Sequence, residues 1–217
     1  FFTVLTSLGA KERLALSFRH MNDDPQNHIR VIPPLLRREV TLHEPYSGDY
    51  IHGYMVNAGF SENVMKWHRQ HPGIPLRFFW DKWEEEPVKR VDNTLSFYQL
   101  DDVEFLRQMA GCKAYASTAG FESVCEAMYL GKPILMVPAH IEQDCNAYDA
   151  EKSGAGIISS DFNLQQLLEF AKDYHPNRDF VYWVRGAEYT LLNLLESDSS
   201  NYQQILFNEM YLVEEFI

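Results

Sequence analysis

The sequence predicts a doubly wound parallel α/β sheet with helical C-terminal additions, and three observations predict it. Between residues 49 and 158, short apolar segments alternate with segments of helical periodicity, as strands joined by crossover helices do. One apolar segment, Pro133 to Val137, is unbroken, which is typical of a parallel strand covered on both faces. From Asp161 onward, leucines recur at helical spacing.

The predicted elements follow in chain order, and capping or turn residues mark their ends. Strands are predicted at 49–56, 75–80, 95–100, 113–116, 133–137 and 156–158. Helices are predicted at 61–70, 102–110, 121–130, 146–152 and from 164 onward. Ser61 and Asp101 are the expected helix caps, and Gly131 is expected to end the helix that Gly120 opens.

The residues before the first of these strands differ in character. Thr3 to Phe18 predicts a short helix followed by a strand at 14–18. The prolines Pro33 and Pro34 exclude a regular helix or central strand there and indicate an extended linker. Because about thirty residues are too few for a domain, residues 1–32 are predicted to be the remnant of a preceding domain and its hinge, and 33–217 a single domain. The start at Phe1 instead of Met adds to the expectation of a cut from a longer polypeptide.

Composition excludes several functional classes. The 217 residues carry a formal net charge of −12, which argues against a nucleic-acid-binding face. No run of about 18 apolar residues predicts a membrane-spanning helix, and no basic n-region followed by a short apolar h-region predicts a signal peptide in these residues. Three cysteines without a CxxC pair fit a reducing compartment better than a disulfide framework or a zinc site.

Candidate ligand-binding residues follow the predicted strands, because ligands of parallel sheets bind beyond the carboxyl ends of the strands. The most informative junction is Ser117 to Ser123, where a strand leads into a helix. Free amides and the positive end of the helix dipole predict an anion site there, with close backbone approach at Gly120 and hydroxyl donors at Thr118 and Ser123. An ordinary strand–helix turn with a Ser/Thr cap is the alternative.

Two carboxylates extend this hypothesis. Glu126 lies one helical turn after Ser123, within reach of vicinal hydroxyls such as those of a ribose, although a salt bridge or a solvated position would also explain it. Glu142 and Gln143 follow the next strand and could hydrogen-bond a sugar, although alone they would be an ordinary surface pair.

These segments together resemble the donor-binding signature of GT-B glycosyltransferases. The resemblance lies in Thr118 to Ala127, then Gly131-Lys132-Pro133, then Pro138 to Gln143 with Asn146-Ala147. The subgroup it resembles contains the UDP-glycosyltransferases and the lipid-linked GlcNAc transferase of peptidoglycan synthesis. The segment from Val31 to Arg37 is also similar to the hinge before the second domain of such enzymes.

The resemblance implies a role for each matching position. It assigns the donor diphosphate to Thr118, Gly120, Phe121, Ser123, Asn57 and Gly59, the ribose to Glu126, the base to Gln99 and Leu100, and the donor sugar to Glu142, Gln143 and His140. Asn146 is expected to be structural. Thr118 departs from the histidine of plant-type members, and Glu122 stands where a carboxylate would repel a diphosphate, so it is expected to point away.

The implied function is sugar transfer, of the hexosyltransferase type, from a nucleoside diphosphate, with UDP favoured, to an unknown acceptor. No D-x-D sequence is present, so a metal-free donor site without a cofactor is expected. The catalytic base is unknown and is expected in the N-terminal domain of the longer chain, so this half is expected to be inactive alone. The expected location is cytoplasmic, with peripheral membrane attachment through that domain left open. A nucleotide-sugar epimerase of the same architecture and a non-catalytic nucleotide-sugar-binding module are the alternatives.

Overall fold

The structure, a computed structural model, describes residues 7–82 and 86–196. The described residues fall into two compact units. One contains residues 7–35 and 182–196, and the other extends from Leu36 to Val181. The predicted domains were 1–32 and 33–217. The compact units differ from them in two places, because the first boundary falls after Leu35 and the residues from Tyr182 onward group with the N-terminal residues. That residues 1–32 are the remnant of a preceding domain stays a prediction.

The smaller unit contains a pair of parallel strands, β1 (Arg13–Leu16) and β2 (Ile29–Ile32). The Trp183 indole Nε1 donates to the Ser17 carbonyl at 3.1 Å, which joins the two chain segments of this unit. Of the predicted N-terminal helix, residues 1–6 lie outside the described residues. Residues 7–9 form a turn containing Gly9 at φ +82°, so the helix is absent from the described part. Strand β2 was not predicted; it ends directly before Pro33, which cannot donate to a strand ladder.

The larger unit contains a seven-stranded sheet that is parallel except at one edge. Its strands are β3 (Ile51–Met55), β4 (Leu76–Trp80), β5 (Val88–Arg90), β6 (Leu95–Gln99), β7 (Ala114–Ser117), β8 (Ile134–Met136) and β9 (Gly156–Ile158). They lie in the order β5-β6-β4-β3-β7-β8-β9, with only β5 antiparallel to its neighbour. The prediction of a doubly wound, largely parallel sheet is therefore confirmed.

Helices cover both faces of this sheet. The helices of this unit are α1 (Arg38–Thr41), α2 (Ser61–Gln70), α3 (Asp102–Gly111), α4 (Phe121–Tyr129), α5 (Ile141–Lys152) and α6 (Leu164–Phe170). Two later segments are also helical, α7 (Arg178–Arg185) and residues 187–196. On one face, Val64 and Trp67 of α2 and Leu164 and Leu167 of α6 share a core with sheet residues. On the other, Phe105 of α3 packs against His52, Phe79 and Tyr115.

Gly53 shows how closely the sheet is packed. A Cβ atom at this position would lie 2.2 Å from the Phe78 ring, whose residue is its partner on the neighbouring strand. Because Phe78 occupies the space that a side chain at position 53 would need, the centre of the sheet requires glycine there.

Three local predictions were wrong. Helix α5 begins at Ile141, five residues before the predicted start. The prediction missed its first turn because that turn is exposed and carries Glu142 and Asp144 instead of an apolar pattern. Ser61 does not cap α2: a 3₁₀ turn precedes that helix, and the Asn57 side chain caps this turn. The edge strand β5 was missed because it is short and charged, as solvent-facing edges often are.

Candidate functional site

The candidate site lies where the direction of strand addition reverses. From β3 the sheet grows through β4 and β6 on one side and through β7, β8 and β9 on the other, so β3 and β7 flank the switch point. The carboxyl ends of these two strands are joined by a hydrogen bond, in which the Val56 amide donates to Thr118 Oγ1 at 3.4 Å. Open α/β sheets bind ligands at such a point.

The turn between β7 and α4 has an unusual backbone conformation. Ala119 adopts φ +60°, in the left-handed region that residues other than glycine rarely occupy. Two side chains hold it there: Ser117 Oγ accepts from the Ala119 amide at 3.1 Å, and Asn146 Nδ2 donates to the Ala119 carbonyl at 3.3 Å. Asn146 therefore has the structural role predicted for it.

Gly120, the N-cap of α4, has an ordinary extended conformation with φ −62°. The positive φ of this turn lies at Ala119. A Cβ at Gly120 would meet only Ser123 Oγ, at 3.7 Å, so the space beside this residue is open. Glycine at this position leaves room for a ligand to approach the backbone.

The amino end of α4 differs from that of α3. Helix α3 is capped by its own sequence, because Asp101 Oδ1 accepts from the Glu104 amide at 2.8 Å. Among the described residues no side chain caps α4, as is also the case for α2 and α5, and the first turn of α4 carries the acidic Glu122. Backbone N–H groups and the dipole at a helix start favour an anion.

Three predicted diphosphate contacts have side chains that are engaged within the protein. Thr118 is buried and its hydroxyl accepts from Val56, so the side chain fixes the β3–β7 junction and is not presented at the surface. The Ser123 hydroxyl donates to the Gly120 carbonyl at 3.2 Å. Asn57 is exposed and its Oδ1 accepts from the Gly59 amide at 2.8 Å, which shapes the turn after β3. Phe121 begins α4, beside the open space at Gly120.

Glu126 is the buried charge of the site. Its side chain is 5% exposed, and both carboxylate oxygens accept from Arg37: Oε1 from Nε at 2.5 Å and Oε2 from Nη2 at 3.1 Å. Arg37 Nη1 also lies 3.2 Å from Asp102 Oδ1, at the start of α3. Burial raises the pKa of Glu126, and the Arg37 guanidinium opposes that shift.

The predicted donor-sugar residues lie at the start of α5. His140 is the N-cap, and both it and Glu142 are exposed. Gln143 is buried, and its Oε1 accepts from the Ala139 amide at 2.8 Å, which holds the loop after β8. These three residues follow strand β8, whereas Glu126 lies on the helix that follows β7, the neighbouring strand.

The predicted base-binding residues end strand β6, also at the carboxyl edge. The Gln99 side chain donates to the Lys82 carbonyl at 3.5 Å, and Leu100 is 42% exposed. Leu100 precedes Asp101 and Asp102, so the predicted base segment continues directly into the residue that Arg37 contacts.

Arg37 is the residue of this site that the sequence did not reveal. It lies 89 positions before Glu126, in the segment after the two prolines, and no local pattern links the two. The only available signal was the need of a buried glutamate for a cationic partner.

The described ranges, 7–82 and 86–196, contain no group of three or more His, Cys, Asp or Glu side chains placed to hold a metal ion. They also contain no helix with the length and apolar character needed to cross a membrane.

Comparison with known proteins supplies a family profile and several relatives. The profile of the family described as Glycosyl transferase family 1 matches residues 9–174. A Caenorhabditis elegans protein provisionally named UDP-glucuronosyltransferase ugt-48 is 26% identical over 105 residues, which are 48% of this chain and 20% of that protein.

Solved structures show the same fold. The glycotransferase of kitacinnamycin matches with a TM-score of 0.61 at 14% identity, over 86% of this chain and 55% of that one. Arabidopsis thaliana UGT89C1, solved with quercetin, matches with a TM-score of 0.55 at 15% identity, over 79% of this chain and 51% of that one. The chain thus spans about half the length of these structures.

Proposed function

The chain belongs to glycosyl transferase family 1, and from that premise we propose that it is the donor-binding part of an enzyme that transfers a sugar from a nucleoside diphosphate. The observation that carries the proposal is the uncapped start of α4, one turn before the buried Glu126, at the switch point of the sheet. The proposed donor is UDP-linked. This preference is supported by the name of the worm relative.

In the proposed complex, the diphosphate binds at the turn from Ala119 to Ser123. Its negative charge is met by the dipole and backbone N–H groups of α4, with the Asn57–Gly59 turn on the neighbouring strand end. The same groups stabilise the nucleoside diphosphate as it leaves the sugar, which is the main electrostatic demand of the transfer step. The proposed site uses no metal ion and no cofactor.

Glu126 is the proposed ribose ligand. An ionised carboxylate can accept about four hydrogen bonds, and Arg37 uses one on each oxygen. Capacity therefore remains for two donors, such as the vicinal hydroxyls of a ribose. The backbone around Gln99 and Leu100 is the proposed base site, and His140, Glu142 and Gln143 are the proposed sugar contacts.

We propose that the acceptor binds to another part of a longer chain and that this other part supplies the catalytic base. The donor-binding part is therefore proposed to be inactive alone. We propose a cytoplasmic location, because Cys112, Cys125 and Cys145 are all free thiols, which suits a reducing compartment.

Titration calorimetry of the chain with UDP, GDP and dTDP tests the donor site. We expect binding with a preference for UDP. Replacing Glu126 with Ala should weaken UDP binding by about 1.5–3 kcal/mol, the value of a hydrogen bond to a charged group. The exposed Glu151 at the end of α5 provides the control, and Glu151→Ala should bind UDP as the wild type does. No binding of any nucleotide at millimolar concentration would reject the proposal.

The sugar contact needs a different ligand pair. Gln143→Ala should weaken a UDP-sugar more than UDP, because only the former reaches the start of α5. Equal losses for both ligands would show that Gln143 acts only by holding the Ala139 loop.

A further inference from the structure

Arg37 makes more contacts than a simple counter-ion requires. Two of its nitrogens bind the two oxygens of Glu126, and the third lies against Asp102. It thus connects α4, where the proposed ribose ligand lies, with α3, which starts two residues after Leu100 of the proposed base segment. The guanidinium is the only side chain type with five donors in a rigid planar fork that suits this arrangement.

The environment of Glu126 explains why such a partner is needed. The carboxylate is almost fully buried, and its charged neighbours other than Arg37 are the acidic Glu122 and Asp102. Tyr115 and Cys125, the other titratable groups that interact with it, are neutral when protonated. Without Arg37, burial and like charge would both favour the protonated acid.

We propose that Arg37 is a positioning residue for nucleoside recognition, which fixes the Glu126 carboxylate so that its remaining acceptor capacity faces the ribose hydroxyls. This inference rests on the proposed function. Side-on pairing fixes the plane of the carboxylate as well as its charge. The contact with Asp102 fixes the guanidinium in turn, so the ribose ligand is oriented relative to the base segment.

The test is a comparison of two ligands, UDP and 2′-deoxy-UDP, which lacks one of the ribose hydroxyls. By titration calorimetry, wild type should prefer UDP by roughly tenfold, the value of one charge-assisted hydrogen bond. Arg37→Met should reduce UDP affinity by roughly tenfold and 2′-deoxy-UDP affinity by much less, because a disordered or protonated Glu126 recognises neither sugar well. The preference between the two ligands should therefore largely disappear.

Two further variants keep the test decisive if Arg37→Met folds poorly, which its melting temperature reports. Arg37→Lys retains the charge but cannot bind both oxygens side-on, so it should recover only part of the preference for UDP. Asp102→Ala leaves the pair with Glu126 intact, and should reduce the preference by about twofold to threefold, less than either change at Arg37.

The outcomes separate the two proposals. Equal losses for both ligands in Arg37→Met, or no loss, would overturn the positioning role while UDP binding by wild type upheld the donor site. Full recovery of the preference by Arg37→Lys would show that charge alone matters, and would also overturn it. Failure of wild type to bind either nucleotide would reject the proposed function, and the inference with it.

Discussion

Two buried charges lie at opposite edges of the same sheet, and they are stabilised in different ways. Glu126, at the carboxyl edge, and Lys132, at the amino edge, are each 4% exposed. Glu126 is paired with a side chain, Arg37, that is one-third exposed. Lys132 Nζ instead donates to two main-chain carbonyls, those of Tyr46 at 2.7 Å and Cys112 at 3.0 Å.

This difference distinguishes a structural charge from a charge that is available to a ligand. The partners of Lys132 are two backbone carbonyls: that of Cys112, just beyond α3, where a helix end leaves acceptors over, and that of Tyr46, in the loop before β3. These backbone groups cannot move unless the fold itself changes. Glu126 keeps unused acceptor capacity, and its partner is a side chain at the rim of the site. We infer a role in stability for Lys132 and a role in recognition for Glu126.

The largest expected effect is on stability at the amino edge. Lys132→Met would leave the buried carbonyl of Cys112 and the partly buried carbonyl of Tyr46 without this donor, and should lower the free energy of unfolding by about 3–4 kcal/mol. Urea denaturation measures this loss. The neighbouring Lys113 is exposed, and Lys113→Met should change the same quantity by less than about 0.5 kcal/mol. Nucleotide affinity should be unaffected by either change while the protein is folded. Similar stabilities for the two variants would show that the contrast between the edges is wrong.

A second prediction tests the premise that a buried group without a partner gives up its charge. His52 is fully buried among Phe79, Phe105 and Tyr115, and burial lowers its pKa from 6.5 to about 3. Between these values the unfolded chain binds a proton that the folded chain does not, so acid destabilises the fold. From pH 6.5 to 4.5 this one group should cost about 2–3 kcal/mol of stability.

The measurement compares urea denaturation of wild type and His52→Phe at both pH values. Neither ring nitrogen meets a hydrogen-bond partner among the described residues, so phenylalanine should be tolerated. The variant should lose less stability in acid than wild type does. Parallel losses would mean that His52 does not titrate as its burial implies, and would weaken the comparison of buried charges.

The smallest expected effect concerns the turn at the carboxyl edge. Asn146→Ala removes the donor to the Ala119 carbonyl and should weaken UDP binding by about 1 kcal/mol, because the left-handed residue loses one of its two fixing contacts. Calorimetry at constant pH measures this. The nearby exposed Asp144 serves as the control, and Asp144→Ala should not change affinity. An Asn146→Ala protein with wild-type affinity would show that the turn needs no support from α5.

Local signals in the sequence were sufficient for much of the fold and part of the site. The strand at 134–136, the cap at Asp101 and the end of α4 at Gly131, with φ +67°, each depend on neighbours along the chain, and each prediction is confirmed. The start of α4 was left open between an anion site and a Ser/Thr-capped turn, and the structure shows no side-chain cap there.

Contacts between distant residues could not be predicted in the same way. The pairing of Arg37 with Glu126 joins residues 89 positions apart, and many arrangements of the chain would have satisfied the glutamate. The left-handed conformation of Ala119 could not be predicted either, because one of the two hydrogen bonds that hold it comes from Asn146, 27 positions away. Similarly, burial of Thr118 at the β3–β7 junction depends on the strand order.

Amide chemical-shift mapping of the nitrogen-15-labelled chain with UDP distinguishes the two edges of the sheet as locations of the donor site. We expect the largest shifts at the amides of residues 119–123 and 126, with smaller ones near Leu100. A cavity of about 480 Å³ lies at the opposite edge, beside Lys113, Gly131 and Lys132. Shifts confined to those residues, or none at saturating UDP, would contradict the assignment of the donor site to the carboxyl edge.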